Sequence, residues 1–318
     1  RDGDVIGYYQ SDTIIEGIDR LSNGNLFFHR WDFCTHEIDW LGNPIQKWYA
    51  ARRSHGLISD GLAVDCAGLH HHPKEMPNGN LLMFTAAAHR KNNSPSHAIA
   101  EPHEQIGTLI VGDGIAKVDR STGAIVWHRS SFDHLSLSRL GYGAIDPYSS
   151  LRGFPEALDW THGNGAAYDE STDSVILSLK NQDAIVSVDR GSGRVRWIIG
   201  EPSDWGDLSE KVLAPVNLSR WAYHGHNPRL TKENTIVYFD NGTSGARPPN
   251  LSIRPEHNFS RAVEYRVNEE QETVEEVWSS HWYDGDSAWH APDMSDAHRF
   301  PATGNMLVRW AHCLSPQS

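Results

Sequence analysis

The 318-residue chain has only three cysteines, Cys34, Cys66 and Cys313, widely spaced and without a CxxC pair. That excludes a zinc knuckle and a dense disulfide framework, and at most one bridge can close within the chain. Cationic side chains are also scarce. Against 41 Asp and Glu stand 28 Lys and Arg, a formal net charge of −13, which argues against a generic basic nucleic-acid binder. The mean hydropathy is −0.53, and no stretch approaches the ~20 uninterrupted apolar residues of a membrane-spanning helix. HExxH, GxSxG, P-loop and EF-hand patterns are missing too, so the common hydrolase, nucleotide and calcium motifs do not apply.

What is abundant is tryptophan and histidine, 12 and 19 residues, with 27 Gly and 16 Pro that indicate many turns rather than long helices. The length permits a single large β domain over residues 1–318. The chain begins at Arg1 without Met, compatible with removal of an export signal. Five N-x-S/T sequons begin at Asn92, Asn217, Asn241, Asn250 and Asn258, as in a glycosylated secreted protein. The expected location is periplasmic or secreted.

A repeat runs through the sequence. Its first half is a polar turn followed by an apolar strand: Asp19 to Phe28 around Asn23-Gly24, Lys74 to Phe84 around Asn78-Gly79, and looser copies at Tyr168–Ser178, Arg229–Phe239 and Arg299–Val308. Asn-Gly between apolar runs is a strong hairpin signal, because both residues accept positive φ. Its second half is a strand, a turn and a strand ending in tryptophan, at Glu37–Trp48, Ile115–Trp127, Ile185–Trp197 and Val263–Trp278. Each full unit is a four-stranded antiparallel sheet, and such units with a periodic aromatic predict an all-β β-propeller. Four blades read as complete and a fifth stops near His312. Trp48, Trp127, Trp197 and Trp278 are expected to fill the core between blades. Long polar insertions near 85–110, 129–158, 201–223, 243–260 and 280–294 are expected to build one rim, where Trp205, Trp221, Trp282, Tyr283 and Trp289 compete between loop packing and an aromatic-lined substrate site.

Residues at the start of each inner strand converge on the propeller axis. There the sequence places His70-His71-His72, then His162 within Asp159-Trp-Thr-His-Gly-Asn164, then His224-Gly-His226, and finally Asp296 and His298. Recurrence at equivalent repeat positions points to function. Convergent imidazoles serve metal ligation, acid–base work or nucleophilic attack, and spacing alone leaves all three open.

At these residues the chain resembles the arylsulfate sulfotransferase family, β-propeller enzymes that move a sulfuryl group between phenols without a nucleotide donor. The resemblance covers about residues 60–310. It rests on His70-His71 with Pro77-Asn-Gly-Asn80, Val111-Gly-Asp-Gly-Ile115 leading to Trp127, Asp159-Trp-Thr-His-Gly-Asn164, Gly225-His226-Asn-Pro-Arg-Leu230, Phe239-Asp-Asn-Gly242 and Ser260-Arg-Ala-Val-Glu-Tyr265. It favours six blades over five. It also implies His226 as covalent nucleophile, with His162, His71 and Lys180 holding the sulfuryl oxygens and a histidine shuttling the phenol proton. Lys180 stands where the family carries arginine, and Gly225 where it usually carries glutamine.

The resemblance implies a small aromatic sulfate donor and a phenolic acceptor, and no cofactor is expected; His70, His224, Asn164, Trp205, Trp221 and Trp289 are the expected substrate contacts. Two alternatives stay open on the same fold. One is a metal-dependent lyase or hydrolase holding Zn or Mn on His71, His162, His226 and His224. The other is a non-catalytic propeller whose aromatic rim binds a glycan or aromatic ligand.

Overall fold

The computed structural model describes residues 7–53, 58, 60–91, 108–145, 148–254, 257–280 and 289–312. Cys313, Trp282, Tyr283, the sequon at Asn92 and parts of the insertions near 85–110 and 280–294 lie outside them. The regular structure of the described chain is almost entirely strand, and no described helix is long and apolar enough to cross a membrane.

The sheets follow one another along the sequence as the repeat predicts. The first joins β1 (Ile15–Arg20), β2 (Leu26–Arg30), β3 (Cys34–Ile38) and β4 (Pro44–Ala50) in sequence order, with β5 (Leu62–Val64) added parallel to β4. The second contains β6 (Leu69–Glu75), β7 (Leu81–Lys91), β8 (Thr108–Val118) and β9 (Ile125–Ser130), with β10 (Leu158–Asp159) parallel to β8. The third is β11 (Gly163–Asp169), β12 (Ser174–Leu179), β13 (Ala184–Asp189) and β14 (Val195–Gly200). In the fourth, β15 (Ala214–Pro215) runs parallel to β19, and β16 (His226–Leu230), β17 (Ile236–Asp240), β18 (Arg261–Asn268) and β19 (Thr273–Ser279) pair antiparallel in order. The last pairs β20 (Asp296–Arg299) with β21 (Met306–Arg309). The fold is thus all-β, of propeller type, with four sheets having the antiparallel four-stranded form of a blade. Residues 1–85 with 116–127 form one compact unit and residues 86–115 with 128–318 a second.

The turns explain why the repeat folds this way. In the first turn of the five copies, Gly24, Gly79, Asp173, Asn234 and Gly304 all take positive φ, between 49° and 90°. In the Asn-Gly turns it is the glycine alone that does so; Leu21 N–H donates to Asn25 O and Gly24 N–H to Leu21 O, both at 2.9 Å. This is a type I turn closed by one left-handed residue rather than a two-residue turn with both φ positive, and it needs glycine, or the Asn and Asp that tolerate that region, at one place only.

The repeated tryptophans divide. Trp48 is fully buried, edge-on to Phe27 at 5.7 Å, within a core that includes Leu69, Leu81, Met83 and Val118. Trp197 is buried with Ile185, Ile236 and Val263. Trp127 and Trp278 are only half-buried; the sheet next after Trp278 has two described strands, and the indole packs on Val237, Ala262 and Ala297. Cys34 and Cys66 are buried free thiols. Among the sequons, Asn217 and Asn250 are exposed, but Asn241 and Asn258 are buried, so the folded chain presents neither of these two for glycosylation.

Candidate active site

Three sheets begin with the same local device. His71, His162 and His224 each adopt a left-handed backbone, with φ of 54°, 48° and 54°, a conformation uncommon for residues other than glycine and enriched at functional sites. The first strand shifts register just beyond each one, between His70 and Lys74, Gly163 and Gly165, and His226 and Arg229. A carboxylate takes up a peptide N–H at each turn. His71 N–H donates to Glu16 Oε2 at 2.8 Å, Gly163 N–H to Asp113 Oδ2 at 2.6 Å, and His224 N–H to Asp183 Oδ1 at 2.9 Å. One donor freed by the irregular backbone is therefore satisfied at each turn that presents an imidazole.

In the second unit His162 rests on a buried charge network. Its Nδ1 contacts Asp159 Oδ2, and Arg152 Nη2 donates to Asp159 Oδ1 at 2.5 Å while Nη1 donates to Asp113 Oδ1 at 2.9 Å. Arg152 is 1 % exposed and Asp159 fully buried. One guanidinium thus serves two carboxylates, whose other oxygens are aimed at the site. Tyr148, in the helical turn α1 (Tyr148–Leu151), lays its ring 4.6 Å from the His162 ring. Burial, with help from the Lys180 and Arg152 charges, holds His162 well below the usual imidazole range. It is neutral near pH 7, and the Asp159 contact aims Nε2 away from the carboxylate.

His226, the first residue of β16, is set differently. Its Nδ1 lies 2.7 Å from Asn241 Oδ1. The Asn241 amide cannot be turned round, because its Nδ2 donates to Ala291 O at 2.7 Å and Met294 O at 3.3 Å. Oδ1 is therefore the atom facing the imidazole, Nδ1 must carry the proton, and the lone pair sits on Nε2. Burial pushes the His226 pKa down to about 3, against the opposing effect of the Asn241 hydrogen bond. At neutral pH this is an uncharged imidazole of fixed tautomer.

Lys180 links the two histidines. It opens a short 3-10 turn after β12, its N–H donates to His162 O at 3.1 Å, and its side chain is buried at 7 % exposure. Its charge lowers the pKa of both His162 and His226, so one buried ammonium acts on two neutral imidazoles. His224 is held by a second charge network. Its ring Nδ1 lies 3.2 Å from Asp183, whose second oxygen accepts from Arg247 Nη1 at 2.6 Å. Burial alone would raise the Asp183 carboxyl, but His224 and Arg247 hold it down to about 2.

Gly225 has a steric reason. A Cβ there would come within 2.3 Å of Tyr238 Cε1, and Tyr238 is buried with its hydroxyl 2.9 Å from Ser178 Oγ. The Gly225 carbonyl accepts from Asn164 Nδ2 at 2.9 Å and Ser178 Oγ at 3.1 Å. Asn164, expected as a substrate contact, thus uses its amide NH2 to tie β11 to β16.

The second unit accordingly brings His162, Lys180, His224, His226 and Asn164 into one neighbourhood. His70 and His71 belong to the first unit, where their Nδ1 atoms lie 2.9 Å apart and His70 stacks on Phe84. The aromatic expectations fare unevenly. Trp205 is 2 % exposed, packed with Leu179, Val186 and Ile198 under the Arg139 guanidinium, and its indole N–H donates to Glu201 O at 2.9 Å, a core position rather than a rim one. Trp221 packs half-buried beside Leu213 and Tyr265. Trp289 is 49 % exposed. Of the four histidines considered as metal ligands, none belongs to a trio within ligating reach; among the described residues that geometry occurs only at Asp32, Cys34 and His36 in the first unit. Sequence reading passed over Arg152, Asp183, Asn241 and Arg247, which orient the imidazoles across 7 to 64 residues of chain.

The second unit's blade-like sheets carry buried imidazoles, an ammonium and carboxylate props at their strand starts, a polar site on a fold of propeller type. The chain belongs to the arylsulfotransferase (ASST) family, whose model matches residues 1–317. It is 25 % identical over 276 residues to the arylsulfate sulfotransferase AssT of Escherichia coli O6:H1, covering 73 % of this chain and 44 % of that protein. It is 30 % identical over 151 residues to AssT of Lelliottia amnigena, covering 42 % and 24 %. The chain thus spans less than half the length of these curated relatives. Among solved structures it is similar to the β-propeller domain of Myceliophteria thermophila Cps50 (Swd1), with a TM-score of 0.42 at 8 % identity over 98 % of this chain and 88 % of that one.

Proposed function

We propose that the chain transfers a sulfuryl group from an aryl sulfate ester to a phenol, without a nucleotide donor, through a sulfo-histidine at His226. The observation that carries this reading is the His226–Asn241 pair, which leaves a neutral, desolvated Nε2 lone pair on a ring that feels the buried Lys180 charge. Family membership supports it.

In the first half-reaction the Nε2 lone pair forms an N–S bond and the S–O bond to the aryl group breaks, its electrons leaving with the phenolate. Nδ1 keeps its proton, and Asn241 Oδ1 accepts that hydrogen bond more strongly as the ring gains positive charge. Lys180 faces the sulfuryl oxygens and offsets the charge that accumulates on them. In the second half-reaction the acceptor oxygen attacks sulfur, the N–S bond breaks, and the phenol proton passes to His162 Nε2, the resulting imidazolium being supported by Asp159. That proton then goes to the next departing phenolate, closing a ping-pong cycle.

The test is mass spectrometry of the protein after brief exposure to p-nitrophenyl sulfate. A gain of ~80 Da mapped to His226, discharged by added phenol, is the expected mark of a covalent intermediate. Folded protein that neither gains mass nor releases p-nitrophenolate would refute the proposal.

A further inference from the structure

Outside the histidine site, one cluster in the first unit combines three metal-ligating side-chain types. After β2 the chain reverses through a turn in which Phe33 takes φ 60°, and it re-enters the sheet at Cys34. Alternate residues of a strand share a face, so Cys34 and His36 lie on the side towards which Asp32 projects from the turn. One ligand atom from each of Asp32, Cys34 and His36 lies within 4.8 Å of the others. Ligand bonds of ~2.0–2.3 Å to a tetrahedral cation set donors roughly 3.3–3.8 Å apart, so the side chains must close in on an ion by about an ångström.

The surroundings are those of a supported site. Asp32 Oδ2 accepts from Arg30 Nη2 at 2.5 Å and Nε at 3.2 Å. Oδ1 faces inwards, accepting Cys34 N–H at 3.0 Å and lying 3.2 Å from His36 Nε2; the same Nε2 is 2.9 Å from Oδ2. The Cys34 thiol contacts Asp32 O at 3.6 Å. Phe28 stacks on the His36 ring, 17° from parallel. Cys34 is buried at 4 % exposure, whereas the His36 and Asp32 side chains are 13 % and 29 % exposed. The sulfur is thus shielded while the carboxylate side stays open to an entering ion.

We propose that Asp32, Cys34 and His36 bind one borderline-soft divalent cation of the zinc class, with water in the fourth position. A thiolate, an imidazole and a carboxylate together suit zinc better than magnesium or calcium, which prefer all-oxygen ligands. On binding, Cys34 releases its thiol proton to solvent, and His36 turns its Nε2 lone pair to the metal and carries its proton on Nδ1. Asp32 Oδ1 becomes the third ligand, held from behind by Arg30. The proposal is independent of the sulfuryl-transfer reading.

Cobalt(II) titration of the whole protein tests it, because a cobalt–thiolate charge-transfer band reports sulfur ligation that exposed histidines cannot imitate. The expected result is a band saturating at one cobalt per chain, bleached by zinc, lost in Cys34→Ser and in His36→Ala and kept in Cys66→Ser. Zinc should also raise the melting temperature of the unmodified protein, as any ligand of the native state does, and not that of His36→Ala. No thiolate band, or a band surviving in folded His36→Ala, would overturn the proposal. Should Cys34→Ser fail to fold, the more accessible His36 variant decides.

Discussion

The His226 ring and the Asn241 amide are joined by a hydrogen bond of 2.7 Å whose direction is fixed from the far side, where two backbone carbonyls hold the asparagine NH2. An uncharged acceptor in this place fixes the tautomer of the imidazole without drawing a proton onto it. A carboxylate would fix the same tautomer and raise the pKa as well.

Asn241→Asp tests that distinction. Burial keeps the His226 pKa near about 3 in the parent protein, so protonation of His226 does not limit turnover above pH 5. With a carboxylate beside Nδ1 the pKa rises, and the protonated ring has no lone pair for sulfur. The expected outcome is a pH profile of kcat/KM in which the aspartate variant works at pH 8 and loses activity towards pH 5. Asn241→Ala should be weaker at every pH, by about 10- to 100-fold as for loss of an orienting partner, with no new acid limb. An aspartate profile superimposable on the parent's would remove the role assigned to Asn241.

How far the sequence revealed this arrangement depends on distance along the chain. The turn copies were legible because their signal is local: a residue tolerant of positive φ stands at 24, 79, 173, 234 and 304, each among polar neighbours and before an apolar strand. The histidines were legible because the repeat brings 71, 162 and 224 to the same place in successive sheets. Their props were not. Arg247 meets Asp183 across 64 residues and Arg152 meets Asp113 across 39, and no local pattern marks either arginine as buried. Trp205 misled for a related reason. It sits in a polar insertion, yet that insertion folds back so that the indole lies over Leu179 and Ile198.

The double duty of Arg152 makes a stability prediction. Arg152→Met would leave Asp113 and Asp159 buried without their cation, a type of loss that costs about 3–5 kcal/mol when one partner of a buried pair is removed. The sign of its pH dependence follows from the carboxylates. Without the guanidinium their pKa values rise in the folded state, so the native variant takes up protons on acidification before the unfolded chain does. Its deficit relative to the parent should be largest at pH 8 and shrink towards pH 5. Urea unfolding at the two pH values measures this, and a deficit below about 1 kcal/mol at pH 8 would mean that the network is not supported as described.

Lys180 occupies the position where the resemblance expects an arginine, and its electrostatic effect on both His162 and His226 predicts what a change there does. The ammonium depresses both imidazole pKa values and is the cation proposed to meet the charge that sulfuryl oxygens would gain. Lys180→Met removes both effects. Its loss of transition-state stabilisation should lower kcat by about 10²- to 10³-fold, the range seen when one preorganised donor is deleted, with the ~80 Da adduct on His226 forming slowly rather than not at all. Lys180→Arg keeps the charge but presents a planar fork where a point charge sat, so it should recover part of the rate. Steady-state kinetics of the two variants, with melting temperatures as a folding control, separate charge from shape. If methionine keeps kcat within about threefold of lysine in a folded protein, electrostatic stabilisation at the sulfuryl group must come from other residues.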